Sequence, residues 1–470
     1  MRICFIDLPR ADKKTPNIGI GYLASSLMEK GHHVKVIDLN FDAEHIEQRL
    51  AETSNYDIAG IHLKSFAIPF ALEVSRMVKS QYLLWGGPHI TVDGPNFLSQ
   101  RTTHEIGVVG EGEQTIVELV DAIEHDKGLQ DIKGIIYKDK DRIVVNPPRT
   151  FNADLDSLSY PNYGVLDFFE GTLELYPLIT SRGCPYSCIF CCASLVSGKK
   201  WRCREPIKVI EELEFAKSRY NSTGFVVHDD NFSLDISRAK EICRLLIEHK
   251  INMEWVCSSG LRADRLDDEL AALMKAAGCT QVALGIESIH PEIFPNIKKG
   301  ENLDDIKRAI VILKRHKIRV LGFFIIGLPG DNLERTKSSI ELAKNLGLSV
   351  TFWGHLSPYP GTQAWNWVRE DAKMIGAWEE ARFTVHGQDE SIVFETNDFS
   401  REDRIQAYYL ANVKSKCYDQ IFKSEKSLMY NAFHILRLIM KYDAKNILSH
   451  LPYALRAIRS AWKLYRRVET

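Results

Sequence analysis

No stretch of the 470-residue chain is apolar enough to cross a bilayer: the longest uncharged run, Val320 to Leu328, is far short of the ~20 residues that a spanning helix needs. Neither charge sign is in excess. Sixty Lys and Arg stand against 62 Asp and Glu, a net charge of -2, without the basic surplus of a protein that tracks phosphates, so no nucleic-acid partner is expected. No internal repeat or low-complexity tract stands out. Asp7 interrupts the apolar core that a signal peptide at Met1–Arg10 would need, and this segment reads as a first β-strand of a cytoplasmic protein. What remains is a globular composition, 45% hydrophobic and 26% charged, with length for two or three domains. Of ten cysteines only Cys4 precedes Cys184 and only Cys417 follows Cys279, while three cluster between Cys184 and Cys191. Such clustering points to metal or redox chemistry rather than to a disulfide framework.

Over the first ~140 residues, short apolar runs (Ile3–Ile6, Val34–Ile37, Ile58–Ile61, Tyr82–Trp85, Gly107–Val109) alternate with amphipathic segments of helix length. The pattern is that of a Rossmann-like, doubly wound parallel sheet, whose ligand crevice lies at strand ends. Ile135–Tyr137 and Ile143–Val145 read as a hairpin, and Asn146-Pro-Pro opens a Pro/Asp/Tyr-rich linker. A second unit brings strand candidates at Leu178–Thr180, Phe225–His228, Glu254–Cys257, Gln281–Leu284, Leu321–Ile326 and Val350–Trp353. Six β/α repeats predict a (β/α)6 partial TIM barrel with chemistry at the C-terminal strand ends. The expected division is 1–140, linker 141–175, barrel 176–370 and a small, mostly helical C-terminal region 371–470.

Cys184-x3-Cys188-x2-Cys191 follows the first barrel strand. A [4Fe–4S] cube normally takes four thiolates, so three leave one iron open to a small molecule. Cys192 is not expected as a fourth ligand, because adjacent side chains diverge, and the seven other cysteines read as ordinary buried thiols. A structural zinc site or three unrelated thiols are the alternatives. The loop on this strand pattern resembles the radical S-adenosylmethionine (SAM) superfamily. The resemblance implies that SAM binds the open iron and is reduced to methionine and a 5′-deoxyadenosyl radical, with a flavodoxin- or ferredoxin-type electron donor. It implies SAM contacts from Phe190 beside the adenine, from Asp230 at the second strand end, from Glu287 on the ribose and from the Gly322–Gly330 stretch including Gly327. Ser258, Ser259 and Arg262 are further candidates for the carboxylate or ribose. Asp229 and Asp230 cannot both point inward, so one is expected to cap the next helix. His355 and Tyr359 face either substrate or core.

Pro16 to Ala24 with Gly19 and Gly21, then Gly86-Gly87-Pro88-His89 and Gly110-Glu111-Gly112-Glu113, resemble the cobalamin-binding domain fused to many radical SAM enzymes. The resemblance assigns Gly19, Gly21, Gly86, Gly87, His89, Gly110, Glu111 and Glu113 to cobalamin; a purely structural Rossmann-like domain is the alternative. The D-x-H-x-x-G motif that supplies an axial histidine in methionine-synthase-like proteins is missing, as in many radical SAM methylases. The resemblance thus implies methylation of an unactivated carbon in a natural product, lipid or cofactor precursor, with SAM as both methyl donor and radical source. A radical dehydration, cyclisation or rearrangement without cobalamin is the second reading. A tRNA methylthiotransferase would carry further cluster cysteines in its N-terminal domain, and an iron–sulfur sensor would not need the SAM-type strand ends. From Leu451, apolar Leu451, Leu455, Ile458, Trp462 and Tyr465 recur at helical spacing beside Arg456, Arg459, Lys463, Arg466 and Arg467. This helix is expected to dock on its own barrel, or else to lie on an anionic membrane.

Overall fold

The computed structural model describes residues 1–9, 15–40, 45–102, 104–380, 392–421 and 426–466. Five strands, β1 (Arg2–Asp7), β2 (His33–Asp38), β3 (Ile58–His62), β4 (Tyr82–Gly86) and β5 (Glu105–Val108), pair in parallel. Helices α1 (Ile18–Met28), α2 (Ile46–Ala51), α3 (Ile68–Met77) and α4 (Pro88–Ser99) connect them. After α5 (Glu113–Glu124), the hairpin of β6 (Ile135–Asp139) and β7 (Arg142–Val145) adds antiparallel to β5. The order β2-β1-β3-β4-β5-β6-β7 places a topological switch between β1 and β3. Successive side chains serve opposite faces of the sheet. Ile3 and Phe5 join one core with Leu27 and Leu119, and Cys4 and Ile6 join another with Leu50 and Leu98.

The stretch expected as a linker begins with β7 and then lies along the outer edge of β2. There Val36 donates to the Val165 carbonyl at 2.8 Å, and Asp167 donates back to Val36 at 3.0 Å. Arg49 fastens it, reaching the Asp167 carboxylate and the Asp38 carbonyl.

A second sheet of six strands is ordered β15-β14-β13-β12-β11-β8. Its first strand, β8 (Leu175–Leu178), is followed by the two-residue ladder of β9 (Ser181–Arg182) with β10 (Arg202–Cys203), between which lies α6 (Ala193–Val196). Then come α7 (Pro206–Tyr220), β11 (Gly224–Val227), α8 (Ile236–Glu248), β12 (Glu254–Leu261), α9 (Asp268–Ala276) and β13 (Cys279–Glu287). α10 (Leu303–Arg315), β14 (Arg319–Ile326), α11 (Leu333–Lys344), β15 (Val350–His355) and α12 (Gln363–Asp371) complete the alternation. This is the expected partial barrel, with one shift: the first strand ends at Leu178 rather than starting there. Pro177, which cannot donate to a ladder, is accommodated because β8 is an edge strand.

Beyond residue 370 the described residues form α13 (Arg401–Ser415), α14 (Leu428–Asp443) and α15 (Ile447–Arg466), together with a pair β16 (Lys373–Met374) and β17 (Phe394–Glu395) too short to register as periodicity. α15 docks through His450, Ala454 and Ala457, and not through Leu451 and Leu455, which are exposed. The side chains of Trp462, Lys463, Tyr465, Arg466 and Arg467 lie outside the described residues. Among the described residues no helix is long and apolar enough to cross a membrane.

By contact density the chain divides into two compact units. One comprises Met1–Tyr186, Cys192–Gly260 and Ala272–Thr280; the other comprises Ser187–Cys191, Leu261–Ala271 and Gln281–Thr470.

Candidate active site

In the first unit, the cysteine loop is tied off at its base. Arg182 and Arg202 face each other across the β9–β10 ladder, and both guanidinium groups run to the loop after β5. Arg182 Nη2 meets Glu113 Oε1 at 2.7 Å, and Arg202 Nη1 meets Glu111 Oε1 at 2.9 Å. Arg182 also lies over the Tyr22 ring and Arg202 over Phe151. Inside this closure, Cys184 donates its N–H to the Gly198 carbonyl at 3.0 Å. Gly183, at φ 90°, is required there: a Cβ would collide with the Lys200 carbonyl. Glu111 and Glu113, assigned to cobalamin by resemblance, are thus held by arginines of the cysteine loop.

The two aspartates after β11 divide their labour. Buried Asp229 accepts from the Thr180 N–H, the Thr180 hydroxyl and the Ser181 hydroxyl, each at 2.6 Å. Burial pushes its carboxyl up, and those donors together with Arg238 hold it back. Asp230 accepts from the Gly183 N–H at 2.9 Å, directly ahead of Cys184. Neither caps α8, as had been expected of one of them. Asp235 does so, accepting from the Arg238 N–H, because it sits where its oxygen reaches the first helical turn. Ser259 turns its hydroxyl toward the Asp229 carbonyl at 3.4 Å.

In the second unit, Glu287 ends β13 in a left-handed conformation, φ 63°, just past an irregularity in the β13–β14 register at Gly285. Strain of this kind, about 1–3 kcal/mol, persists where the surroundings over-determine it and gathers at functional sites. Its buried carboxylate lies 3.5 Å from Lys299 Nζ, which is 3.1 Å from Glu301 and also donates to the Gly285 carbonyl. Burial pushes Glu287 up against the pull of Lys299, while Glu287 and Glu301 outweigh burial at Lys299 and keep its ammonium charged. Arg262 joins the cluster, donating to the Lys299 carbonyl at 2.9 Å and to Asp264 at 3.0 Å. Gly327 ends β14 at φ 88°, with its N–H on Asp331 at 2.9 Å. Phe190 is half-buried, and its neighbour Ile189 is pinned by the Ile297 carbonyl at 3.1 Å. His355 is buried beside Tyr408.

Residues 178–343 match the Radical SAM superfamily, and residues 9–120 match the B12 binding domain. An uncharacterized methyltransferase of Pyrococcus horikoshii is 33% identical over 366 residues, covering 75% of this chain and 78% of the relative. The chain belongs to the radical SAM superfamily. An anaerobic magnesium-protoporphyrin IX monomethyl ester cyclase of Rubrivivax gelatinosus is 26% identical over 367 residues, 73% of this radical SAM chain and 65% of the cyclase. In fold it resembles the radical SAM methyltransferase TsrM of Kitasatospora setae, solved with cobalamin and a [4Fe–4S] cluster, at a TM-score of 0.67 and 19% identity over 80% of this chain and 81% of that one.

The cofactors of this radical SAM enzyme are accordingly a [4Fe–4S] cluster, SAM and cobalamin. Its residues fit them. Cys184 and Cys188 are half-buried and Cys191 is exposed, whereas burial pushes Cys4 to about 12 and raises Cys243 and Cys257. A cysteine ligates iron as its thiolate, which deep burial disfavours, so the accessible loop is the suitable donor set. Cys203, expected to be buried, is exposed on β10. At the ends of β4 and β5, a Cβ on Gly86 would enter open space and one on Gly110 would have only Phe151 nearby, room for a planar ligand to reach the backbone. Gly19 lies beside the capping Asn17, and Gly21 lets Tyr163 and Pro161 pack on α1. His89 is buried, its Nδ1 3.2 Å from the Ser65 hydroxyl and its ring edge-on to Phe97. Sequence reading did not find Arg182, Arg202, Lys299 or Glu301. The two arginines bracket the cysteine loop, which was the available signal; the lysine and glutamate had none.

Proposed function

We propose that this enzyme methylates an unactivated carbon of a small molecule, a natural product, lipid or cofactor precursor, in the cytoplasm. The observation that carries the reading is the joint match to a radical SAM barrel and a B12 binding domain in a chain one-third identical to a relative named as a methyltransferase. When bound, the cluster supplies the electron that cleaves SAM, and cobalamin relays a methyl group. The chain's own part is holding and orienting. Cys184, Cys188 and Cys191 carry the cluster, and Phe190 sits beside the adenine. Glu287, held on one side by Lys299, keeps lone pairs for ribose hydroxyls. Asp230 accepts from the SAM amino group while bracing the start of the cysteine loop. Ser259, Arg262 and Gly327 complete the SAM contacts, and Gly19, Gly86, Gly87 and Gly110 line the cobalamin crevice, whereas Gly21 is covered by Tyr163 and Pro161 and serves packing instead. Since Glu111 and Glu113 are engaged by arginines, they act on that crevice by fixing its loop. A flavodoxin- or ferredoxin-type protein donates the electron, and the basic C-terminal helix touches a membrane.

Anaerobically reconstituted protein should hold about four irons per chain, and Cys184→Ala, Cys188→Ala or Cys191→Ala should abolish 5′-deoxyadenosine formation while Cys192→Ala and Cys417→Ala do not. Glu287→Ala and Asp230→Ala should each weaken SAM binding by ~1.5–3 kcal/mol without loss of iron. Methylation yields S-adenosylhomocysteine alongside 5′-deoxyadenosine. A second reading, radical cyclisation, is favoured by the likeness to the Rubrivivax gelatinosus cyclase. It holds if 5′-deoxyadenosine forms with substrate but S-adenosylhomocysteine does not.

A further inference from the structure

α14 carries apolar residues on two opposite faces. Asn431, Ile435, Leu438 and Ile439 are buried against the unit, but Met429, Phe433, Leu436 and Met440, spaced four, three and four apart, form a single outward stripe. Met429 is 70%, Phe433 67% and Met440 55% exposed. α15 adds Leu448, 79% exposed, with Leu451 and Leu455 on its own outward face, opposite the docked His450, Ala454 and Ala457. Monomers seldom leave so many large apolar side chains together in water. The surrounding charge says what covers them. Residues 428–459 hold five Lys and Arg, all exposed, and one acid, Asp443, in a chain whose net charge is -2. Asp443 is itself engaged, by Lys414 at 2.9 Å and His450 at 2.8 Å.

We propose that the outward faces of α14 and α15 form a docking surface for an anionic lipid bilayer. A second copy seated on the same stripe would set like charges against each other, which is costly at an interface. A bilayer with anionic headgroups takes the apolar stripe below the headgroup level and the flanking Arg437 and Lys441 at it, with their aliphatic stems along the apolar surface. Tyr430 and Tyr453, both exposed, are the kind of side chain that prefers that boundary. The inference deepens the membrane contact proposed above for the C-terminal helix, moving its apolar anchor to α14, and it does not depend on which reaction the barrel performs.

The test is co-sedimentation of the full-length protein with phosphatidylcholine vesicles, with and without 30% phosphatidylglycerol. The expected result is at least tenfold tighter binding to the anionic vesicles, weakening as salt is raised. Each Lys or Arg near such a surface is worth roughly a fivefold change in partition, so Arg437→Gln with Lys441→Gln should weaken binding about 25-fold. Phe433→Ser with Met440→Ser should weaken it at least tenfold, with iron content and circular dichroism unchanged because both side chains already face water. Equal binding to neutral vesicles, no binding to anionic ones, or a dimer that the serine variant dissolves would overturn the proposal. If Arg456→Gln with Arg459→Gln releases the vesicles while the α14 variants do not, contact through the tail stands and the α14 assignment falls. Formation of 5′-deoxyadenosine, followed in parallel, reads the radical chemistry separately.

Discussion

The turn after β4 (Gly86-Gly87-Pro88-His89) and the turn after β14 (Gly327-Leu328-Pro329-Gly330-Asp331) use the same materials: a glycine at positive φ, 99° in one and 88° in the other, a proline, and a buried titratable side chain. They are braced differently. A Cβ on Gly87 would stand 2.9 Å from the Leu63 carbonyl and 2.8 Å from the His62 ring, so this turn rests on the backbone and side chain of the neighbouring strand end. A Cβ on Gly327 would meet the guanidinium of Arg404, which reaches over from α13 and lies on the Phe394 ring at 4.1 Å. The first turn is fixed by the sheet and the second by a side chain of a later helix. The lesson is that one local sequence recipe makes a rigid wall in one place and an adjustable one in another.

Substitution of the two glycines should separate them most. Gly87→Ala combines a disfavoured backbone with a carbonyl that cannot yield, and should cost about 2–4 kcal/mol in chemical denaturation. Gly327→Ala should cost about half as much, because Arg404 has torsions through which to withdraw; an equal loss would break the distinction. The titratable groups should then oppose each other. Burial pushes His89 down to about 4 from 6.5, so its contribution to stability is whole above 6.5 and is lost as the pH falls toward 4. His89→Gln should remove about 3 kcal/mol of that acid sensitivity. Burial pushes Asp331 up to about 6, against the Gly327 N–H and the Thr336 hydroxyl. Its folded value lies above its unfolded one, so its contribution is whole below about pH 4 and is lost as the pH rises through 6. Stability curves of Asp331→Asn should therefore lack about 2–3 kcal/mol of the gain on acidification. The smallest effect belongs to Arg404→Met. Arg404 Nη1 has no hydrogen-bond partner among the described residues, and burial lowers this group to about 10. At pH 5, with Asp331 protonated, an apolar replacement of similar length should leave stability unchanged or raise it by about 1 kcal/mol.

What could be read from the sequence was what is local in it. Strand periodicity located the N-terminal sheet and most of the barrel, and the cysteine loop was plain because its three thiols lie within eight residues. β8 was misplaced because Pro177 disguises an edge strand whose donors are not needed. The capping rule was sound for α8 but went to Asp235, since the donors that claim Asp229 lie 48 and 49 positions back in the chain. Arg182 finds Glu113 across 69 residues, a pairing that no spacing announces. Periodicity also does not say which of two apolar stripes faces inward, and on α15 the small one does.

The ladder between Arg182 and Arg202 bears on how readily the cysteine loop takes up iron. Joining the ends of a loop of about 20 residues costs roughly 2–3 kcal/mol in chain entropy. That cost is met by the β9–β10 ladder and its two glutamate partners. The three thiols, four and three positions apart, already share a short tether, so once a first thiolate has bound the next two compete at high effective concentration, and the closed neck narrows the conformations that this tether samples. Loosening the arginines at the neck would be felt first as slower, less complete cluster assembly, with every ligand still in place.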